Sequence, residues 1–303
     1  MISRSRRRLP WILLLIVFSV GLLVYVGRVP PLPTRAPAPS PNGYHDLTAA
    51  VALLKDLPAP GGKATPAEIA AFVSANPAVL DRVRLGLSRE SQVPPYDPTR
   101  AQAHMDEIGG FKALARLFAG VAEDALERKD WNRLVTSSTQ GIDLGLRVAQ
   151  GGVLIDQMVA TAAEAVARTP LSKALARIPA EPAKKAARTL MELDATREPY
   201  LRVRLQEEDV VRHSPWTTRI AWKLFLRRRT QPALVRTEKG VNENTLATRT
   251  LALELAARAH SLEKGSPPAS ASALVPEYLP SVPTHPVTGQ PLALPRPGDP
   301  GAP

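Results

Sequence analysis

A mainly α-helical fold is what three features of the sequence predict. Apolar residues make up 44% of the chain but aromatics only 5%, so the core must be built from Leu, Val and Ala, which suits packed helices better than strands. Apolar positions recur at helical spacing over residues 44–264, with proline and capping residues at several starts. An uncharged apolar run at residues 9–27 has the length of a bilayer-spanning helix. The expected architecture is therefore an irregular helical bundle over 42–244 behind an N-terminal transmembrane helix. A small module at 245–294 and a disordered tail at 295–303 follow it.

The first element is the anchor. Arg4, Arg6, Arg7 and Arg8 precede the apolar run, and Arg28 alone follows it closely. Those 19 residues would span about 28 Å as a helix, close to the hydrocarbon thickness of a bilayer. Trp11 and Tyr25 stand near its ends, where amphipathic rings favour the interface. The arginine excess keeps residues 1–8 in the cytoplasm and puts everything after residue 28 outside. A cleaved signal peptide is the alternative, but the one small-residue motif, Ala36-Pro37-Ala38, lies far beyond the run and is followed by Pro39. Residues 28–41 are proline-rich and read as an extended stalk.

Helices follow in order. "YHDLTAAVALLKDL" puts Leu47, Val51 and Leu54 on one face. Thr65, Pro66 and Glu68 form a capping box, and Asn76 with Pro77 repeats the device, so two short helices are expected. Residues 111–152 give apolar positions 114, 117, 118, 121 and 125, then 131, 134, 135, 142 and 146, with a polar break at Lys129 and Asp130. This helical hairpin is similar to a tetratricopeptide unit, without a recurring 34-residue repeat. Gly151 and Gly152 break the chain before an Ala-rich helix with Pro170 as a kink or restart, and one or two more helices fill 181–211.

The charge of +11 does not mark a nucleic-acid binder. Residues 1–41 hold six Arg and no acid, leaving 33 basic against 28 acidic groups in the rest, and aromatics for base stacking are scarce. No Cys is present, which excludes disulfides, thiolate metal sites and cysteine nucleophiles. The five histidines are scattered with no metal-ligand spacing, so no metal or cofactor is expected.

Three stretches carry candidate chemistry. Asp156, inside the apolar Leu154–Met158 stretch, is either an acid–base group or a carboxylate that caps a neighbouring helix or pairs with an Arg. Ser261 and Lys264 match an S-x-x-K spacing but close a helix rather than open one, and the companion motifs are missing. "WTTRIAWKLFLRRR" at 216–229 stacks Arg219, Lys223 and Arg227 into a basic stripe, with Trp216, Trp222 and Phe225 among the apolar residues around it. It reads as a bundle helix with one wet stripe, or as a surface that meets a membrane or a partner.

The ending is paced by proline. A helix from about 245 stops at Gly265, a short turn includes Leu274 and Val275, and Tyr278, Leu279, Pro283, Pro286, Gly289 and Pro291 follow, with Pro267 just after the helix. This order resembles the C-terminal part of the major pseudopilin of bacterial type II secretion. It is more similar still to the tails of uncharacterised membrane-anchored bacterial proteins, and "NGYHDL" at 42–47 and "GGVLID" at 151–156 are similar to what precedes the module there. Ser266 replaces an aromatic and His285 an Asp of that pattern, and no acidic calcium loop or pilin cleavage junction is present. The resemblance implies an architecture and no known activity. Physically, the prolines set an extended path over the last helix onto which Leu279, Val282 and Leu292 can pack.

The expectation is a single-pass, N-in protein of the cell envelope with an outward helical domain, serving interaction or scaffolding through an envelope partner. A hydrolase working through Asp156 or the Glu207–Asp209 acids is the alternative. A concave pocket with convergent carboxylates would favour the enzyme, and an exposed apolar or groove-like face the scaffold.

Overall fold

The structure, a computed structural model, describes residues 36–294 except 59, 61, 62, 96, 216–218 and 220–226, together with residues 17, 19 and 21. The expected anchor residues Arg6, Arg7, Arg8, Trp11 and Tyr25, the tail from 295, and Trp216, Trp222, Lys223 and Phe225 lie outside the described residues. Arg219 is half-buried on a helical residue, and Arg227 opens a helix. Among the described residues no helix is long and apolar enough to cross a membrane.

The first helices begin at the caps the residues offer. Helix α1, Gly43–Lys55, opens on Asn42, whose Oδ1 accepts the Tyr44 N–H at 3.0 Å. Leu47, Val51 and Leu54 are buried along its inner face. Helix α2, Pro66–Ala75, carries the reciprocal capping box: Glu68 N–H donates to Thr65 Oγ1 at 3.3 Å and Thr65 N–H to Glu68 Oε2 at 2.8 Å. Helix α3, Pro77–Leu87, does not repeat it. Asn76 closes α2 and opens α3 at once, and its single side chain serves the earlier helix, Nδ2 donating to the Phe72 carbonyl at 2.8 Å.

The hairpin is the centre of the bundle. Helix α4, Ala101–Glu127, and helix α5, Trp131–Ala149, are joined through Lys129 at φ 59°, and Asp130 accepts the Arg133 N–H at 3.1 Å. Helix α6, Leu154–Ala174, runs through Pro170 without ending, and packs on both. Helix α7, Ala180–Ala195, and helix α8, Tyr200–His213, follow, then helix α9, Arg227–Lys264. Two apolar clusters form the core. One gathers α1, α3 and the first part of α4 around Tyr44, Leu47, Phe111 and Phe118. The other gathers the end of α4 with α5, α6, α7 and α9 around Leu134, Ile142, Leu171, Leu190 and Leu255.

The C-terminal segment belongs to that second cluster. Gly265, at φ 71°, ends α9, a 3₁₀ turn spans Ala271–Leu274, and Leu274, Tyr278 and Leu279 are fully buried. Val275, Val282 and Leu292 pack at the edge. Polar ties hold the path down: Tyr278 Oη donates to Glu263 Oε2 at 2.6 Å, Arg188 Nη1 to the Pro276 carbonyl at 3.1 Å, and Arg249 Nη1 to the Thr284 carbonyl at 2.6 Å. Arg249 continues inward to Asp194 at 2.7 Å, and Asp194 accepts from Arg197 at 3.1 Å. Arg197 forks onto the buried Glu164 at 3.0 and 2.6 Å. The module is thus linked to α6 by a hydrogen bond from Arg249 and the ion pairs that continue from it.

His285 holds the turn that follows it. Its Nδ1 accepts the N–H groups of Val287 and Thr288 at 3.2 and 3.3 Å, while its N–H donates to the Gln290 carbonyl at 2.8 Å and Thr284 bridges Pro291.

Candidate functional site

A cleft of about 1170 Å³ opens between α1, α4, the start of α6 and α8. The two hexapeptides "NGYHDL" and "GGVLID" form two of its sides. In the first, Asn42 ties the chain to Gln92 in both directions, its Nδ2 donating to the Gln92 carbonyl at 2.8 Å and its Oδ1 accepting the Gln92 N–H at 3.0 Å. Gly43 lies so close to Gly86 of α3 that any Cβ would clash with its carbonyl oxygen. Asp46, buried, pairs with Arg82 at 3.0 Å and Arg89 at 2.6 Å, and Leu47 enters the core. Tyr44 and His45 are left facing the cleft.

In the second hexapeptide, Gly151 takes φ 72°, a backbone state that favours glycine, and its N–H donates to Glu198 Oε2 at 2.8 Å. Gly152 leaves the space Asp156 occupies: a Cβ there would stand 2.6 Å from Asp156 Cβ and Oδ2. Asp156 reaches back so that Oδ2 accepts the Val153 N–H at 2.8 Å, and Glu207 of α8 accepts the Leu154 N–H at 3.1 Å. The start of α6, where the helix dipole favours negative charge, is therefore filled by two carboxylates of the chain itself.

The wall between the hexapeptides is a run of four polar side chains. Asp156 Oδ1 stands 2.8 Å from His104 Nε2, His104 Nδ1 stands 3.5 Å from Glu107 Oε2, and Tyr44 Oη donates to that same oxygen at 3.0 Å. Asp156 is only 3% exposed. His104 sits between two carboxylates, and its hydrogen bonds to Asp156 and then Glu107 raise its pKa to about 9 against an opposing cost of burial. A pKa raised to about 9 favours the imidazolium at neutral pH, with Nε2 placed to donate to Asp156 and Nδ1 facing Glu107. Glu107, hydrogen-bonded to His104, is held below the ordinary carboxylate range. Burial, then the Glu107 and Asp156 charges, push the Tyr44 phenol far above its usual value.

Chemically, this is an ionic clamp joining α1, α4 and α6. The raised pKa of His104 favours its protonated form over a general base at neutral pH, and both oxygens of Asp156 are engaged. Asp156 departs from both expectations: it caps the start of its own helix rather than a neighbouring one, and its ionic partner is a histidine rather than an arginine. His104 and Glu107 were missed because nothing beside them in the chain marks them: Asp156 is 52 residues from His104 and Tyr44 is 63 from Glu107. The Glu207–Asp209 acids divide, Glu207 turning to α6, Glu208 facing solvent and Asp209 lining the cleft. Ser261 donates to the Ala257 carbonyl at 2.8 Å and Lys264 lies 3.8 Å from Glu277, so the S-x-x-K pair is dispersed on the surface of α9.

Of the module positions, Leu274, Val275, Tyr278 and Leu279 pack in the second cluster, Gly265 ends α9 with Pro267 exposed just beyond it, Pro283, Pro286, Gly289 and Pro291 lie in the segment around His285, and none lines the cleft. Ala36 does line it, and its carbonyl accepts from Gln92 Nε2 at 3.3 Å, so the chain enters the domain at the rim. No family model, curated protein or solved structure matches this chain.

Proposed function

We propose that this chain is a single-pass envelope protein, anchored by residues 9–27 with its N-terminus inside, whose helical domain binds a partner through the cleft and performs no catalysis. The observation that supports binding over chemistry is the internal pairing of the wall. Tyr44, Glu107, His104 and Asp156 satisfy one another, which makes a rigid, preorganised surface and leaves no poised base or nucleophile among them. The proline-paced ending acts as a clasp of the fold, since Tyr278 and Leu279 are part of the core. Eight residues, 28–35, separate the proposed anchor from Ala36 and cannot extend more than about 28 Å, so the cleft would work close to the bilayer.

The test is photocrosslinking of the full chain in its own membrane from Leu201 on the cleft, 64% exposed, against Val287 on the C-terminal hairpin, 67% exposed. A discrete adduct from Leu201 and none from Val287 is expected; equal, diffuse labelling from both would remove the binding reading. The hydrolase stands as a second reading because the feature expected of an enzyme is met, Asp156 and Asp209 lining a concave cleft, and what weighs against it is that Val153 and His104 already occupy both oxygens of Asp156. It would be favoured by an ester- or amide-cleaving activity lost in a folded His104→Gln variant.

A further inference from the structure

The cleft holds acids and bases in similar number, but they are not equally engaged. Asp156 and Glu198 each have both oxygens hydrogen-bonded and Asp97 Oδ1 accepts the N–H and hydroxyl of Thr99 at 2.9 and 2.7 Å, whereas the half-exposed Asp209 has only a 3.5 Å contact to His213 Nδ1. Two of the three guanidinium groups that line the cleft, those of Arg100 and Arg202, are less committed. Arg100, its side chain 62% exposed, makes one long contact of 3.4 Å to Glu107. Arg202, exposed in the first turn of α8, has no side-chain hydrogen bond or ion pair among the described residues. That helix also starts on Pro199 with no side chain capping its N-terminal N–H groups, unlike the start of α6. Beside these positive groups the lining is apolar, with Pro94, Pro95, Leu201 and Leu205, and the volume exceeds that of a drug-sized pocket of roughly 300–1,000 Å³.

We propose that the cleft binds an amphiphile with an acidic headgroup, Arg202 and Arg100 holding the headgroup and the Pro94, Pro95, Leu201 and Leu205 surface covering the hydrocarbon. The proposal rests on the binding reading above and gives it a ligand class. The chain's own carboxylates already fill the α6 start, so the unfilled demand for negative charge is at α8. A charge-assisted hydrogen bond to an arginine and apolar burial along the chain would act together, which excludes both a neutral lipid of the same length and a small hydrophilic anion. An acidic phospholipid of the neighbouring bilayer and a free fatty acid share this chemistry.

The experiment uses the full chain in neutral maltoside micelles with a dodecanoate carrying a diazirine in its tail, and maps adducts by peptide mass spectrometry. Adducts are expected in segments 91–100 and 199–212. Labelling should fall about tenfold or more in Arg100→Glu/Arg202→Glu, as the loss of one charge-assisted hydrogen bond implies, and a matched alcohol should label as weakly. Both substitutions are on exposed side chains, and an unchanged thermal melt certifies the fold. Equal labelling by the alcohol, indifference to charge reversal, or adducts spread over the domain would overturn the proposal. A second arm replaces the acid with photoreactive phosphatidylglycerol in neutral vesicles: adducts in the same segments make the bilayer the source, adducts from dodecanoate alone make it the free acid, and adducts from neither overturn it. A discrete Leu201 crosslink in the cell membrane that is neither acid nor phospholipid would sink this ligand class while leaving the binding reading standing.

Discussion

At the residue scale His104 decides how the cleft behaves with pH. Its folded pKa, about 9, is above the ordinary 6.5, so its contribution to stability is full below about 6.5 and is lost as pH rises toward 9. Glu107 is shifted down, so its contribution is present above about 4.5 and disappears as pH falls through its lowered folded value. The clamp should therefore be strongest between about pH 5 and 6.5. Urea midpoints of the wild-type chain should decline from pH 6.5 to 9.5 more steeply than those of His104→Gln, and parallel curves would count against an ionised clamp. At pH 6 the His104→Gln change should itself cost roughly 1–3 kcal/mol, as for hydrogen bonds to charged partners. Gly152→Ala should disturb Asp156 even without touching its chemistry, because the new Cβ takes space that carboxylate fills. The expected signature is a changed His104 titration in a folded protein, and an unchanged one would show that the loop yields freely. His285→Asp should keep the C-terminal hairpin, since a carboxylate can accept the same two N–H groups, whereas His285→Leu should raise amide exchange at Val287 and Thr288.

At the scale of elements, the helices were legible and their ends less so. The Thr65 capping box and the Leu47, Val51, Leu54 face were readable because both depend on residues three or four apart. The Asn76 cap was not, because one side chain had two helix ends to serve and local spacing does not say which wins. The start of α4 at Ala101 lay earlier than its apolar pattern begins, since its first turns are exposed and carry the charged groups of the cleft. The packing of Leu279, Val282 and Leu292 followed from the proline-set path, but the polar chain from Thr284 through Arg249, Asp194 and Arg197 to Glu164 did not. Its members are 33 to 55 residues apart, except for the Asp194–Arg197 pair. The clasp predicts that Leu279→Ala costs about 2–5 kcal/mol in urea unfolding, as for a fully buried leucine. Removal of residues 266–303 should leave a chain without a cooperative thermal transition; a cooperative melt of the truncated protein near the wild-type temperature would make the segment an accessory rather than a part of the core.

For the whole molecule, the balance between binding and catalysis rests on the wall that Tyr44, His104, Glu107 and Asp156 build across three helices. Sequence periodicity could supply the helices but not the cluster, because the four residues come together only when α1, α4 and α6 pack. A wall whose charged groups are hydrogen-bonded to one another, one imidazolium between two carboxylates, can stay rigid in a cleft open to water. If instead the imidazole titrated near neutrality, the same residues would form a carboxylate–histidine pair able to take a proton from a substrate. The most direct measurement is the pKa of His104 in the full chain, read by NMR on ¹³C-labelled histidine with His104→Gln for assignment. A value near 9 is predicted and fixes the imidazolium as part of the wall. A value at or below the ordinary histidine pKa of about 6.5 would contradict the clamp and give the cleft a working base.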